Sequence, residues 1–131
     1  MENDGMSKVT ADVEKNRLDI SLTGNICKGE VERIFADIRE CVPKMEPGFS
    51  VVTDLTQCTI GHLNARPVFQ QIVEFLLEKK VGKVIRVVGR SKIIFNQLSR
   101  ITEYLKGYKP IYVSSLKEAE ENLSPGKEDQ S

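Results

Sequence analysis

The chain opens with a strict alternation of apolar and polar residues and then changes period. Val9, Ala11 and Val13 alternate with Lys8, Thr10 and Asp12, and Leu18, Ile20 and Leu22 alternate with Asp19, Ser21 and Thr23. A period of two predicts two half-buried strands, each with one apolar and one polar face. Lys15-Asn16 reads as a tight turn, with Asn16 able to take a positive φ, so the strands pair as an antiparallel hairpin. Gly24 is expected to end the second strand. From about Lys28 to Met45 the period becomes helical, with Val31, Ile34, Phe35, Ile38 and Val42 on one stripe. Pro47-Gly48 closes that connection.

The run Phe49-Ser50-Val51-Val52-Thr53 ends in Asp54-Leu55-Thr56 and predicts a strand. A loop from Gln57 to Asn64 leads to a second helix, from about Asn64 to Lys80. Pro67 sits in its first turn, and Val68, Phe69, Ile72, Val73, Leu76 and Leu77 form its apolar face. A β-rich run, 83–88, stops at Gly89. Ser91 can cap a third helix reaching about Leu105. Pro110 to Val113 reads as a short edge strand, and Leu116 to Leu123 as a last helix. The order β-β-α-β-α-β-α-β-α predicts one α/β domain over residues 8–123. Its sheet is mostly parallel, with an antiparallel hairpin at one edge, because connections of this length imply parallel pairing through right-handed crossovers. Residues 1–7 and 124–131 are polar and read as disordered termini.

Composition narrows the function classes. Lysine plus arginine and aspartate plus glutamate both number 19 in 131 residues, giving zero net charge. That argues against a nucleic-acid partner, which calls for a basic excess. The charge is uneven, however: Lys79–Lys109 holds nine basic residues against one acid, Glu103. No apolar run reaches the roughly 18 residues of a membrane span, and the first residues lack a secretory pattern, so the expected compartment is the cytoplasm. Cys27, Cys41 and Cys58 fit neither a disulfide framework nor a metal-ligand spacing, and there is one histidine, so neither a metal nor a cofactor is expected.

The opening hairpin, Pro47-Gly48-Phe49 leading into Val51-Val52-Thr53-Asp54-Leu55, and Val84-Ile85-Arg86-Val87-Val88-Gly89 together resemble the SpoIIAA-like branch of the STAS domain family. The resemblance spans roughly residues 8–123. It implies a sheet with helices packed against it, regulation through protein partners, and a phosphorylatable serine in an Asp-Ser-Ser-Gly-type segment at a helix start. The corresponding segment here reads Gly61-His62-Leu63-Asn64-Ala65, with no serine or threonine. The resemblance therefore carries the fold and a binding face, but not the phosphate switch.

Open α/β sheets hold their sites at the carboxyl ends of strands. If the strands ending at Asp54 and Val88 are neighbours, their exits share one surface. The residues gathered there are Asp54, Thr56, His62, Asn64, Arg90, Ser91 and Lys92. The Arg90–Lys92 segment opens a helix whose free N–H groups favour an anion. His62 has no readable nucleophile beside it, so no catalytic set is assigned. Asp54 and Arg86 are expected to form a cross-strand ion pair. The apolar stripe of the second helix, with Phe69, Phe75 and Leu76, is wider than a core face needs and hints at a homodimer or an apolar ligand. Two readings follow. The first is a non-enzymatic regulatory module binding another protein or a second copy of itself. The second is a binding protein for a small anionic or amphipathic molecule at the strand-end face.

Overall fold

The computed structural model describes residues 7–61, 65–89, 96, 99, 100 and 108–123. Strands β1 (Lys8–Asp12) and β2 (Arg17–Ile26) form the hairpin, followed by helix α1 (Lys28–Cys41) and a short 3-10 turn, Val42–Lys44. Then come β3 (Ser50–Gly61), α2 (Arg66–Glu78), β4 (Val84–Val87), β5 (Ile111–Val113) and α3 (Leu116–Leu123). Of the helix expected between Ser91 and Leu105, only Asn96, Ser99 and Arg100 are described, and all three are helical.

The five strands form one sheet in the order β1-β2-β3-β4-β5. β1 runs antiparallel to β2, and every other pairing is parallel. The hairpin turn sets this register. Asn16 takes a φ of 52°, as its short polar side chain permits. Its side-chain amide then bonds Glu46 twice: Nδ2 donates to the Glu46 carbonyl at 3.1 Å, and Oδ1 accepts the Glu46 N–H at 2.8 Å. The Ser50 N–H donates to the Asn16 carbonyl at 3.0 Å. One turn residue thus ties the hairpin to the start of β3, and Arg17 pairs with Ser50 beside it.

Period two divides the sheet into two faces. Leu18, Ile20, Leu22, Val51 and Leu55 point to one side, where they meet Val31, Ile34 and Ile38 of α1 and Ile72 and Leu76 of α2 in the main core. On the other side, α3 covers only the far half. Its Ala119 packs on Val52, Ile85, Val87 and Val113. The half formed by β1 and β2 stays polar on that side, as the alternation predicts, whereas Val13 is 58% exposed because β1 has already given way to the turn.

Several boundaries differ from the sequence reading. β2 does not stop at Gly24. Gly24 adopts φ 72°, and the register shifts between it and Asn25, so the glycine absorbs an irregularity and pairing continues to Ile26. The expected loop from Gln57 is strand as far as Gly61, because the extended β2 offers it a partner. A further shift lies between Ser21 and Thr23, opposite Asp54 and Gln57. α2 starts at Arg66, with Pro67 in its first turn. It ends where Lys80 turns left-handed at φ 67°, and the Val81 and Lys80 N–H groups bond the Leu76 and Leu77 carbonyls, satisfying the helix end.

The wide stripe of α2 is absorbed within the chain. Phe75 meets Phe35 of α1 edge to face, with ring centroids 5.7 Å apart. Arg39 stands 4.4 Å from the centre of the Phe35 ring, and Lys79 stands 5.6 Å from that of Phe75. The excess apolar width therefore serves helix–helix packing.

Candidate functional site

Asp54 is the last residue of β3 that pairs with β4, opposite Val87; beyond it β3 pairs with β2 alone. The Asp54 carboxylate accepts two hydrogen bonds on Oδ1, from the Thr56 N–H at 3.0 Å and the Thr56 hydroxyl at 2.7 Å. The local turn fixes both side chains. Gly89 follows β4 with φ 60°, and a Cβ placed there would stand 3.5 Å from Thr56 Cγ2. The exits of β3 and β4 therefore lie side by side, at Thr56 and Gly89. His62, Asn64, Arg90, Ser91 and Lys92 lie outside the described residues.

The Asp54–Arg86 pair does not form. Thr53, not Asp54, is the cross-strand partner of Arg86. The two side chains consequently leave the sheet on opposite faces. Arg86 points into the helix-covered side and is 6% exposed. Its Nη1 donates to the Tyr112 hydroxyl at 2.9 Å, and its guanidinium lies 5.6 Å from the centre of the Tyr108 ring and 5.8 Å from that of Tyr112. Burial pushes the Tyr108 phenol above its ordinary value, with the Arg86 charge opposing the shift. This tyrosine–arginine cluster was not read from the sequence. Its signal is an arginine in phase with Val84 and Val88 on an otherwise apolar strand.

Among the described residues, two spaces flank the sheet. On the helix side a void of about 40 Å³ is lined by Ile20, Ile38, Phe69, Leu76, Arg86 and Tyr108 among others. A water needs roughly 10–15 Å³, so this void holds a few waters and is far smaller than the ~300–1,000 Å³ of a ligand pocket. On the open face a shallow groove of about 350 Å³ runs between α3 and the hairpin, past Lys8, Asp19, Ser21, Asp54 and Leu116. Arg17 spans it, giving Glu120 of α3 two bonds, at 3.1 and 2.9 Å, and sharing its Nε–H between the two Asp19 oxygens, at 3.2 and 3.4 Å. The Arg17 guanidinium holds the Glu120 carboxyl below its ordinary range. The Glu120 bond in turn raises the Arg17 value. The groove's carboxylates, Asp19, Asp54 and Glu120, outnumber its cations, Lys8 and Arg17.

Cys27 is exposed, Cys41 half-buried and Cys58 buried, and all three are free thiols. Burial, reinforced by Glu30, pushes the Cys58 thiol up to about 11. Among the described residues no three His, Cys, Asp or Glu side chains gather as a metal-ligand set. No described helix is long and apolar enough to cross a membrane.

No protein-family model and no curated protein matches this sequence. Solved structures do share its fold. An uncharacterised DUF3478-family protein with a SpoIIAA-like fold, from Shewanella loihica PV-4, matches over 90% of this chain and 92% of its own, with a TM-score of 0.64 and 12% identity. The anti-sigma factor antagonist SpoIIAA in its unphosphorylated form matches over 89% and 96%, with a TM-score of 0.59 and 11% identity. An anti-sigma factor antagonist from Mycobacterium paratuberculosis matches over 94% and 98%, with a TM-score of 0.59 and 12% identity. The chain therefore has the SpoIIAA-like, STAS-type fold that its sequence resembles, over nearly its whole length.

Proposed function

We propose that this chain is a non-enzymatic, cytoplasmic regulatory module of the STAS type, which works by binding another protein. The contact set is the strand-exit face, with Asp54, Thr56, His62, Asn64, Arg90, Ser91 and Lys92. The proximity of Thr56 to Gly89 carries this reading, because it brings the exits of two neighbouring strands side by side. Two observations support it. The helix-side void is far below the size of an ordinary ligand pocket, and the open groove has an acidic excess that disfavours an anion. The segment Gly61-His62-Leu63-Asn64-Ala65 offers no serine or threonine hydroxyl, so binding runs without the phosphate switch that the family resemblance implies.

The test is a photo-crosslinking residue placed at Thr56 and, as a control, at Glu40 on the outer face of α1, in cells. A discrete protein adduct from position 56 and not from position 40 is the expected result. Equal labelling from both positions would remove the assignment of the face. A small molecule seen in the native mass spectrum and lost on denaturation would move the reading to ligand binding.

A further inference from the structure

The outer edge of β1 is a short, open pairing surface with defined ends. Among the described residues β1 lies at one edge of the sheet and pairs only with β2, in an unbroken register from Lys8 opposite Ser21 to Asp12 opposite Arg17. It contains no proline and no bulge, two common devices that blunt an edge. The opposite edge, β5, has three residues and follows Pro110. At the start of β1, Arg33 Nη2 donates to the Ser7 carbonyl at 2.9 Å, so that carbonyl is already used. Ser7 is itself 1% exposed, held by Glu30 and by the Thr23 N–H. At the far end the chain turns at Val13–Asn16, closed by the Asn16 N–H on the Val13 carbonyl. The window for a new strand is therefore Lys8–Asp12, centred on Thr10.

That window is self-complementary. A twofold axis through Thr10 sets a second copy of β1 antiparallel to the first. Lys8 then faces Asp12 of the second copy, Val9 faces Ala11, and Thr10 faces Thr10. Residues of like parity meet, so ladder hydrogen bonds form whichever set of backbone groups points outward. Lys8 and Asp12 lie on the polar face, Lys8 exposed and Asp12 half-buried. Each would meet an opposite charge directly across the new ladder, twice per dimer. Parallel pairing about the same residue would instead set Lys8 against Lys8 and Asp12 against Asp12, so the charges select one orientation. Val9 and Ala11, only partly covered now, would gain cover on the core side.

We infer that β1 is a homodimerisation edge, joining two copies through antiparallel Lys8–Asp12 strands into one ten-stranded sheet. The contact is isologous and closes on itself, so association stops at two. It is also small, five residues a side, so the dimer is weak and concentration-dependent. The edge opens two strands away from Asp54, although Lys8 and Asp54 line the same groove, and its failure would leave the partner-binding reading untouched.

Sedimentation velocity of the full chain over a rising concentration series tests it. The wild type should climb from the monomer mass towards twice that mass. Lys8→Asp, a change at an exposed side chain, should weaken association by roughly tenfold or more, since two attractive pairs become repulsive. Asp12→Lys should do the same. An equimolar mixture of these two variants should associate again, because one copy then carries acids at both positions and the other carries lysines at both. Far-UV circular dichroism checks that Asp12→Lys, which gives up the bond from the Lys15 N–H, still folds; if it does not, Lys8→Asp alone decides. A wild type that stays monomeric throughout, or Lys8→Asp associating as the wild type does, overturns the proposal.

Discussion

Single residues hold this fold at points where backbone meets backbone. Gly82 is the tightest among the described glycines: a Cβ there would lie 2.4 Å from the Gly48 carbonyl oxygen and 3.2 Å from that of Phe49. The crowding follows from two bonds, the Gly82 N–H to the Phe49 carbonyl and the Gly48 N–H to the Lys80 carbonyl, each 2.7 Å. Gly82→Ala should destabilise the protein by about 1–3 kcal/mol, the usual cost of forcing atoms into filled space; a lowered urea midpoint with an unchanged slope checks it. Cys58 sets a limit at alkaline pH. Its thiol is raised to about 11 in the folded chain from an ordinary 9.0. The unfolded chain therefore ionises first. The stabilisation is whole below the ordinary thiol value and is lost as pH climbs through the folded one. Stability should fall between about pH 9 and about pH 11, and less steeply in Cys58→Ala. The buried Tyr108 phenol is shifted in the same direction and leaves a remaining slope in that variant.

At the scale of elements, α3 buries fewer residues than α1 or α2. It offers the sheet one buried residue, Ala119, and Leu116 is 51% exposed. Polar ties do much of the holding: Arg17 to Glu120, the Lys83 ammonium to the Asn122 carbonyl at 2.6 Å, and a cap in which Glu118 accepts the Ser114 N–H and hydroxyl. Glu120→Gln should speed amide exchange across α3 and leave the β3 and β4 amides unchanged. Its effect on global stability should be about 1 kcal/mol or less, because Glu120 is largely solvated and its pair screened. The carboxyls of Glu118 and Glu120 are both held below their ordinary values. Their stabilisation is present above the ordinary carboxylate value and fades as pH falls through the lowered ones, so acid should loosen α3 as well. The element pattern itself was legible. The hairpin alternation, the helical stripes, and the bounds of α3 at Leu116 and Leu123 follow from spacing alone. The extent of β2 and β3 did not, because Gly24 signals an end or an irregularity with equal force and only the partner strand decides. Asp54 and Arg86 failed for a related reason: period two gives a face within each strand, but the register between strands sets which faces coincide.

In the whole molecule α1 and α2 pack on one side of the sheet, and α3 covers part of the other. On that second side α3 takes the β4–β5 half, and the hairpin half stays polar. The β1 edge starts at the same end of the sheet as the strand exits, since Lys8 pairs with Ser21 and Ser21 with Asp54, but it opens sideways, two strands away. The candidate site was only partly legible for a global reason as well. The sequence shows which residues follow each strand, and the fold then brings Thr56 against Gly89. The arginine between Tyr108 and Tyr112 arises from residues far apart in the chain, which no local spacing can announce. Asn16, the turn residue that grips Glu46 from thirty positions away, bears on how the chain folds rather than on what it binds. β2 and β3 are parallel, so they meet only after a long loop has closed, and loop closure is the slow part of such a topology. A residue that catches the returning chain at its re-entry point acts as a latch on that search. Asn16→Gly keeps the positive φ and loses both amide bonds, so it should slow refolding several-fold and leave unfolding little changed in stopped-flow kinetics. The same variant showing faster unfolding and normal refolding would place the latch after the rate-limiting step.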